Sequence, residues 1–484
     1  MKVALLVCLL AATAHADPAE RDAQRKQAEA LERAAKETKD WDKYVAAAKA
    51  FLDIYNADPQ APDNDQVLYN AGITFEQGRS IGDALLAFSL LEKYYPNSKV
   101  TQRAVARVAW LYGTIGWYDK AAAKLEQYAK RYAGEKDAYN AMLDAIYFRK
   151  GLGDRAKAIE DTKYFIKTFG AKKPREAADA MWSLTSVYEP DRDDTIKHLR
   201  DYLRLYAAKG PADRIVIAHA KLGAVLWKQS CPHATVDGLC VKVKAGTPRT
   251  CGTGTTSTMT ATRRDEAKQK EAFLALAQAV KEYERKAGAF DDPAAGYYYA
   301  QAKLAEADLE LESFLTVTFP RSLSFDRTNR EAHEKSLKRF ESWLEEKQRL
   351  GGAAMRKYDL VLATKDAASS ITAASRIATI TQSMASSLVA SELPRDLRGP
   401  RAAEKRQAYC EKMTETAAPL EARAVESFAV CLAKSTELGW FEASSRQCER
   451  QLAELAPDEF PLPRERYIEP MLAAPVLALE PPLR

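Results

Sequence analysis

The sequence predicts an all-α chain: a solenoid of stacked helical hairpins with a small cysteine-bearing β-hairpin insert and a further helical region towards the C-terminus. Three observations predict it. Tyr95, Tyr132, Phe169 and Tyr206 recur every 37 residues, and Leu91, Tyr128, Phe165 and Tyr202 recur with them one helical turn earlier. A period between about 20 and 50 residues marks a supersecondary unit that buries its apolar face only by stacking on its neighbours. Alanine, leucine, glutamate, lysine and arginine dominate, while β-branched runs of strand periodicity are almost absent. The breaks between apolar stretches carry glycines and a capping aspartate, as in Gln77-Gly78-Arg79-Ser80-Ile81-Gly82-Asp83.

Residues 1–16 read as a secretory signal: Lys2, an apolar run over residues 3–12, and Ala14-His15-Ala16 as a small-x-small cleavage site, leaving Asp17 as the mature start. A membrane anchor needs about 20 apolar residues, roughly twice what this run offers. Cys8 lies mid-run behind the bulky Val7, which argues against a lipid-modified cysteine. No other segment is long and apolar enough to span a bilayer. A periplasmic location is therefore expected, with secretion as the alternative. Cleavage removes Lys2 and leaves 72 − 1 = 71 basic against 67 acidic residues, a net charge of +4 on 484 − 16 = 468 residues. Nucleic-acid binders concentrate positive charge on one face, so this balance speaks against nucleic acid as a partner.

The N-terminal repeats are expected over residues 17–227. Residues 18–37 form a highly charged lead-in helix, and Trp41, Tyr44, Ala47, Phe51 and Tyr55 mark the second helix of a first unit. In the next hairpin, apolar and small residues fall at helical spacing as Leu68, Ala71, Gly72 and Phe75, then Ala84, Phe88 and Leu91, before Pro96. Gly72 lets the second helix approach closely. One unit later come Val105, Val108, Ala109, Tyr112, Ala121 and Leu125; a third keeps Ala158, Phe165 and Phe169 with a degenerate first helix; a fourth runs from Met181, Leu184 and Tyr188 to Leu199, Tyr202 and Tyr206. These positions resemble the tetratricopeptide repeat, W-x2-L-G-x2-Y followed by A-x3-F and P, with Leu68 and Ala71 replacing the Trp and Leu.

The fifth unit is split. Leu222, Gly223 and Leu226 supply its first helix, whereas Ala272, Leu276, Ala279 and Tyr283 supply the second. Residues 228–262 are an insert in the turn, where Pro232, Gly238, Pro248 and Gly252 bar a helix. Residues 241–244 and 256–262 suit short strands, giving a β-hairpin projecting from the repeat turn. Residues 263–400 continue the solenoid, the register fading beyond Gly288. They hold a helix over residues 293–314 and a helical stretch over residues 329–387 with a break expected at Gly351-Gly352. The Ala- and Ser-rich run over residues 367–387 suits tight packing. Residues 401–456 carry two helices parted near Pro419 and a last one over residues 441–455, and the Pro-rich tail over residues 457–484 excludes a long regular helix.

Six cysteines remain after cleavage: Cys231, Cys240, Cys251, Cys410, Cys431 and Cys448. In an oxidising compartment an even set reads as disulfides, with 15 possible pairings. The turn at Gly439-Trp440 lies midway between Cys431 and Cys448 and puts them level on antiparallel helices, with Cys410 competing for Cys431. Cys231 and Cys240 suit the base of the insert, with Cys251 bridging to one of them instead or staying free. Cys231, His233, Cys240 and Cys251 are also zinc ligand types, but their spacing matches no close-paired arrangement, so no metal is expected. Lys242, Lys244, Arg249, Arg263 and Arg264 make the insert basic, a contact for an acidic partner or a solvated loop.

None of His198, His219, His233 and His333 lies in H-E-x-x-H, and neither G-x-S-x-G nor a phosphate-cradling glycine loop is present. His198 and His219 read as packing or surface residues. Glu306, Asp308 and Glu310 read as solvated helix-face charges, and no acid pair emerges. The chain reads as a non-enzyme without cofactors. The tetratricopeptide resemblance implies that the first helix of each unit lines a concave binding face, which makes Tyr69, Asn70, Arg103, Arg107, Trp110 and Asn140 the candidate contacts.

The run Cys431-Leu432-Ala433-Lys434-Ser435-Thr436-Glu437-Leu438-Gly439-Trp440-Phe441, with Cys448-Glu449-Arg450 and Glu459-Phe460-Pro461-Leu462, resembles the closing hairpin of large tetratricopeptide proteins of myxobacterial-type envelopes. So do the cysteine-bearing insert and Ser336-Leu337-Lys338-Arg339-Phe340-Glu341-Ser342-Trp343-Leu344. Some of those proteins belong to periplasmic gliding-motility machinery. The resemblance implies an exported scaffold whose partners are envelope proteins or peptides, with an adaptor for outer-membrane or cell-wall assembly as the alternative and a cell-wall-active enzyme behind both.

Overall fold

The computed structural model describes residues 18–286 and 290–462. The expected signal peptide and residues 463–484 of the Pro-rich tail lie outside the described residues. The chain divides into two compact units between Asp191 and Arg192. Helices build both, and the two strands of the insert are the only sheet among the described residues.

In the N-terminal unit, α1 (Pro18–Thr38) and α2 (Trp41–Ala57) form a lead-in pair, followed by three hairpins: α3 (Asn64–Gln77) with α4 (Ile81–Tyr94), α5 (Lys99–Thr114) with α6 (Tyr118–Arg131), and α7 (Ala138–Gly151) with α8 (Arg155–Phe169). α9 (Pro174–Ser183) and α10 (Thr185–Tyr188) close the unit. The period is legible in three features. The paired ring positions touch, Tyr128 with Tyr132 at 5.3 Å and Phe165 with Phe169 at 5.4 Å between centroids, tilted by 54° and 52°. These spacings and tilts fall where aromatic pairs attract. Each hairpin turn places one residue in the left-handed region, Arg79, Gly116 and Gly153, at 37-residue intervals. The residue after it caps the next helix: Ser80, Trp117 and Asp154 each donate a backbone N–H at 2.9 Å to the carbonyl five residues back. That bond closes the preceding helix in a Schellman-like turn and fixes where the second helix starts.

Gly72 has the packing role its position suggests. A Cβ there would lie 2.4 Å from the Phe88 ring, so α3 and α4 cross with nothing between backbone and ring. The lead-in helix is tied down differently, by a buried Arg21 whose guanidinium donates to the Ile54 carbonyl at 2.8 Å, to Asp63 at 3.0 Å and to Asn64.

The second unit contains α11 (Arg192–Tyr206), α12 (Ala212–Ser230), β1 (Val241–Pro248), β2 (Thr255–Ala261), α13 (Glu266–Arg285), α14 (Ala294–Thr316), α15 (Arg330–Leu362), α16 (Ala367–Val389), α17 (Ala403–Leu438) and α18 (Ala443–Leu455). α11 carries the third ring pair, Tyr202 on Tyr206 at 5.3 Å. The split fifth repeat is real: α12 packs along α13, and a Cβ on Gly223 would sit 2.5 Å from Leu276 and 3.0 Å from the Ala272 carbonyl. α16, the Ala- and Ser-rich helix, is buried on nearly every side and touches α14, α15, α17, α18 and β2.

Four expectations are corrected. α15 runs unbroken through Gly351-Gly352, because Gly351 is where it crosses α14 and α16; a Cβ there would press on Ile380 at 3.3 Å and Phe314 at 3.4 Å. The absent side chain serves the crossing and does not end the helix. α17 likewise continues through Pro419. A proline inside a helix costs about 3 kcal/mol, and burial of Ala417, Ala424, Phe428 and Cys431 along the same helix offsets it.

The β-hairpin does not project. Its strands pair antiparallel, Val241 opposite Ala261 and Val243 opposite Met259, and Leu239 and Val241 enter a core with Leu311, Phe314 and Tyr358. The backbone N–H groups of Thr250 and Cys251 donate to the Val389 carbonyl at the end of α16, at 2.8 and 3.0 Å. Cys251 is neither free nor paired within the insert. It bonds Cys410 on α17, while Cys231 pairs with Cys240 and Cys431 with Cys448. Cys410 is thus not a competitor for Cys431.

Gly72→Ala should lower the unfolding free energy of the N-terminal unit by about 1–3 kcal/mol through collision with Phe88. Gly153→Ala should cost about 1–2 kcal/mol through backbone strain alone, since nothing lies within 4 Å of its added Cβ. Denaturant titration should show Phe88→Leu relieving the first loss and not the second. Thiol alkylation of the non-reduced protein should leave all six cysteines unlabelled. The double variant Cys251→Ser, Cys410→Ser should speed proteolytic cleavage at the hairpin tip, having opened a loop whose closure is worth roughly 5 kcal/mol in the chain-entropy picture.

Candidate functional site

The six contact residues read from the repeats come together on the first helices of successive hairpins. The 37-residue period lays them out as ladders across α3, α5 and α7: Gln66, Arg103 and Asn140; Asn70, Arg107 and Asp144; Ile73, Trp110 and Tyr147. Arg103, Arg107, Trp110 and Asn140 are exposed and Asn70 half-buried. Tyr69 differs: it is buried, 6.1 Å from the Phe88 ring, and serves as the platform under the Arg103 guanidinium at 4.8 Å. Arg107 bridges α5 to α3 through Glu76 at 2.7 Å and lies 5.4 Å over the Trp110 ring. Burial raises the Glu76 carboxyl, and the Arg107 contact works against that.

Tyr147 was missed as a candidate, although it is 74% exposed against 55% for Trp110. The signal was available: it stands one period after Trp110. It adjoins a second group of exposed rings at the α5–α6 turn, where Tyr118 stacks on Phe148 at 5.3 Å and Lys120 lies 3.9 Å over Trp117. The surface offers ring faces, guanidinium groups and amides on successive first helices. Such a mixture suits protein recognition, where aromatic and arginine side chains dominate binding energy.

In the second unit the insert is held by two buried charge clusters that composition alone could not reveal. Arg264 stacks 3.4 Å over Trp227, pairs with Glu312 at 2.6 Å and donates to the Trp227 carbonyl; Glu312 in turn accepts the Cys240 backbone N–H at 2.7 Å. Arg376 pairs with Asp237 of the insert at 3.1 Å and Asp308 of α14 at 3.5 Å, and Tyr358 donates to Asp308 at 2.6 Å. Asp308 is therefore not a solvated helix-face charge. Burial pushes it up to about 6 although Arg376 favours its ionised form. The expected basic face of the insert also shrinks, since Arg264 is internal and Arg249 pairs with Glu421 at 2.7 Å. Beside the Arg376 cluster lies a cavity of about 390 Å³ whose lining includes Trp227, Tyr297, Tyr298, Asp237 and Asp308.

The zinc alternative loses its donors. The ligand atoms of Cys231, His233 and Cys240 lie within 4.8 Å of one another, but the two sulfurs are bonded to each other and Cys251 is held by Cys410. His233 instead contacts the Thr262 hydroxyl at 2.9 Å. His198 and His219 are pushed down by burial, His198 to about 4, as core imidazoles kept neutral.

An acid pair does exist, contrary to expectation. Asp161 on α8 and Glu126 on α6 lie together inside the N-terminal unit, flanked by Arg149 on Glu126 at 2.6 Å and Lys130 on Asp161 at 3.7 Å. Burial, then the Glu126 charge, pushes Asp161 up to about 7. With Asp161 closed to solvent, the pair is internal packing and not a cleft for substrate.

No protein-family profile matches the chain, and no curated protein does. Among solved structures, a tetratricopeptide repeat protein from Parabacteroides merdae is 10% identical over 65% of this chain and 99% of its own, with a TM-score of 0.27. A Rap protein complexed with competence and sporulation factor is 11% identical over 91% of this chain and 98% of its own, with a TM-score of 0.21. The repeated hairpins of this chain carry the fold assignment by themselves.

The Asp161 proton sets a pH dependence. Between its unfolded value of 3.8 and about 7 the folded unit holds a proton that the unfolded chain has released, so this group's contribution to stability falls as pH rises through that window and is gone above it. Asp161→Asn, isosteric and uncharged, should raise the melting temperature at pH 8 and flatten the decline between pH 5 and 8. An unchanged profile in calorimetry would contradict the raised value of Asp161.

Proposed function

We propose that this chain is an exported, non-catalytic scaffold that binds protein partners of the bacterial envelope along the α3–α5–α7 ridge. The observation that carries this reading is the in-register exposure of Arg103, Arg107, Trp110, Asn140 and Tyr147 on successive first helices. A folded protein gains nothing in stability from two large rings held in water on one ridge, whereas a partner that covers them gains much of their apolar area. The ladder geometry suits an extended segment or an amphipathic helix lying across the hairpins.

Several features support the export part of the proposal. Lys2, the apolar run and Ala14-His15-Ala16 have the form of a cleavable signal, and three disulfides join all six remaining cysteines, as an oxidising compartment favours. No described helix is long and apolar enough to cross a membrane. The motif resemblance around Cys431 to Cys448 narrows the proposed setting to envelope assemblies of the gliding-motility kind. The non-catalytic part rests on the burial of the acid pair and of His198, which removes the most obvious proton-transfer groups from solvent.

A photo-crosslinking residue placed at position 110 or 147 should capture the same envelope protein, while one at exposed Leu86 on the second helix α4 should not. Trp110→Ala with Tyr147→Ala should lower that capture at least tenfold with helix content unchanged. Equal capture from position 86, or peptidoglycan turnover by the purified protein without any captured partner, would overturn the scaffold reading. Intact mass of the exported protein should correspond to a chain beginning at Asp17.

A further inference from the structure

Lys347, near the middle of α15, is 2% exposed, yet no carboxylate lies within ion-pair distance of it among the described residues. Its ammonium donates one hydrogen bond, at 2.8 Å, to the Phe314 carbonyl in the last turn of α14, and sits 3.7 Å over the Phe314 ring. A helix C-terminus offers the equivalent of about half a negative charge, and a ring face adds a fraction more. That leaves a buried cation incompletely neutralised and two of its three N–H donors uncommitted. Burial alone lowers its pKa to about 8, with no acidic neighbour opposing the shift.

Lys347 lines a cavity of about 130 Å³, partly open to solvent, between β2, the end of α14, α15 and α16. That is about four times the ~30 Å³ a water molecule takes in the liquid. Lys347 is the only charged residue in its wall, which is otherwise apolar and hydroxyl-bearing. The hydroxyls divide into two sets. Those of Ser387 and Ser391 donate to the Ser383 and Leu388 carbonyls of α16, at 2.7 and 2.9 Å, and Ser386 shares a hydrogen bond with Thr256. Those of Thr260, Thr318 and Ser383 make no side-chain hydrogen bond among the described residues; Thr260 and Thr318 are exposed and Ser383 half-buried, so these donors stand on the solvent side of the space that Lys347 lines from within.

Buried charges in folded proteins are paired, and exposed hydroxyls beside one can complete the set of donors around an anion. An ordered water could satisfy the hydroxyls but not the charge. A bound anion satisfies both, since each oxygen of a carboxylate or phosphate accepts from N–H or O–H and the net charge neutralises the lysine. We infer that the Lys347 cavity is a binding site for a small oxyanion of carboxylate or phosphate type, gripped by the Lys347 ammonium and the Thr260, Thr318 and Ser383 hydroxyls. Because β2 forms one wall, an occupied site also fastens the insert to α15 and α16. This site belongs to the second unit and does not depend on the scaffold reading.

Inorganic phosphate and sodium acetate are the probes, titrated into the full-length protein by calorimetry, with chloride as the ionic-strength control. The wild type should bind one phosphate or acetate saturably below about 10 mM. Lys347→Met, which keeps the length and apolar stem, should weaken binding at least tenfold. Ser383→Ala should weaken it about threefold with the melting temperature in chloride unchanged, which keeps the test meaningful if Lys347→Met folds poorly. Binding should also slow proteolysis at the hairpin tip. Equal affinity in wild type and both variants, or no saturable heat with either probe at 50 mM, would overturn the assignment.

Discussion

A guanidinium sealed away from water has to be met by negative charge and by acceptors for its N–H groups, or it costs several kcal/mol. In the second unit that demand falls on Arg376, on the helix that α14, α15, α17, α18 and β2 all touch. It is met by Asp308 from α14, which Tyr358 on α15 also holds, and by Asp237 from the insert, which Ser444 on α18 also holds at 2.9 Å. One buried cation thus sets the positions of five segments at once. Removing a single partner from such a cluster costs roughly 3–5 kcal/mol because it strands the other charge. The insert is therefore not an ornament on the repeat turn. It supplies a second counter-ion beside the one from α14.

The N-terminal unit depends on shape where the second depends on charge. Its hairpins are alike because one left-handed turn residue and one N-cap recur in each, and a ring pair recurs in the second and third. Arg79 occupies the turn position that Gly116 and Gly153 occupy elsewhere, and its guanidinium lies 3.5 Å over Trp41. A contact of that kind is worth about 0.5–2 kcal/mol, enough to offset much of the strain of a non-glycine residue there.

What could be read from the sequence follows the same division. The period disclosed the hairpins, the close approach at Gly72 and at Gly223, the split fifth unit and the ladder of exposed side chains, because each is local or repeats locally. The break expected at Gly351 and the one near Pro419 were misread because tertiary packing overrides local propensity. The Cys251–Cys410 bond and the Arg376 and Lys347 environments were invisible for a related reason: their partners lie dozens to more than a hundred residues away and share no spacing rule. Asp308 shows the limit well. Between Glu306 and Glu310 it looks like one more surface acid, and only the helix it faces makes it internal.

The order of the cysteines along the chain has a consequence for biogenesis. A chain emerging from its N-terminus presents Cys231 and Cys240 together, nine residues apart. Cys251 follows at once, yet its partner comes 159 residues later. In an oxidising compartment Cys251 would until then be a thiol near a bond that it can attack by exchange. Maturation therefore has a waiting period during which scrambling competes with assembly. The arrival of α17 ends it, making that helix both a structural wall and the timing signal for closing the insert.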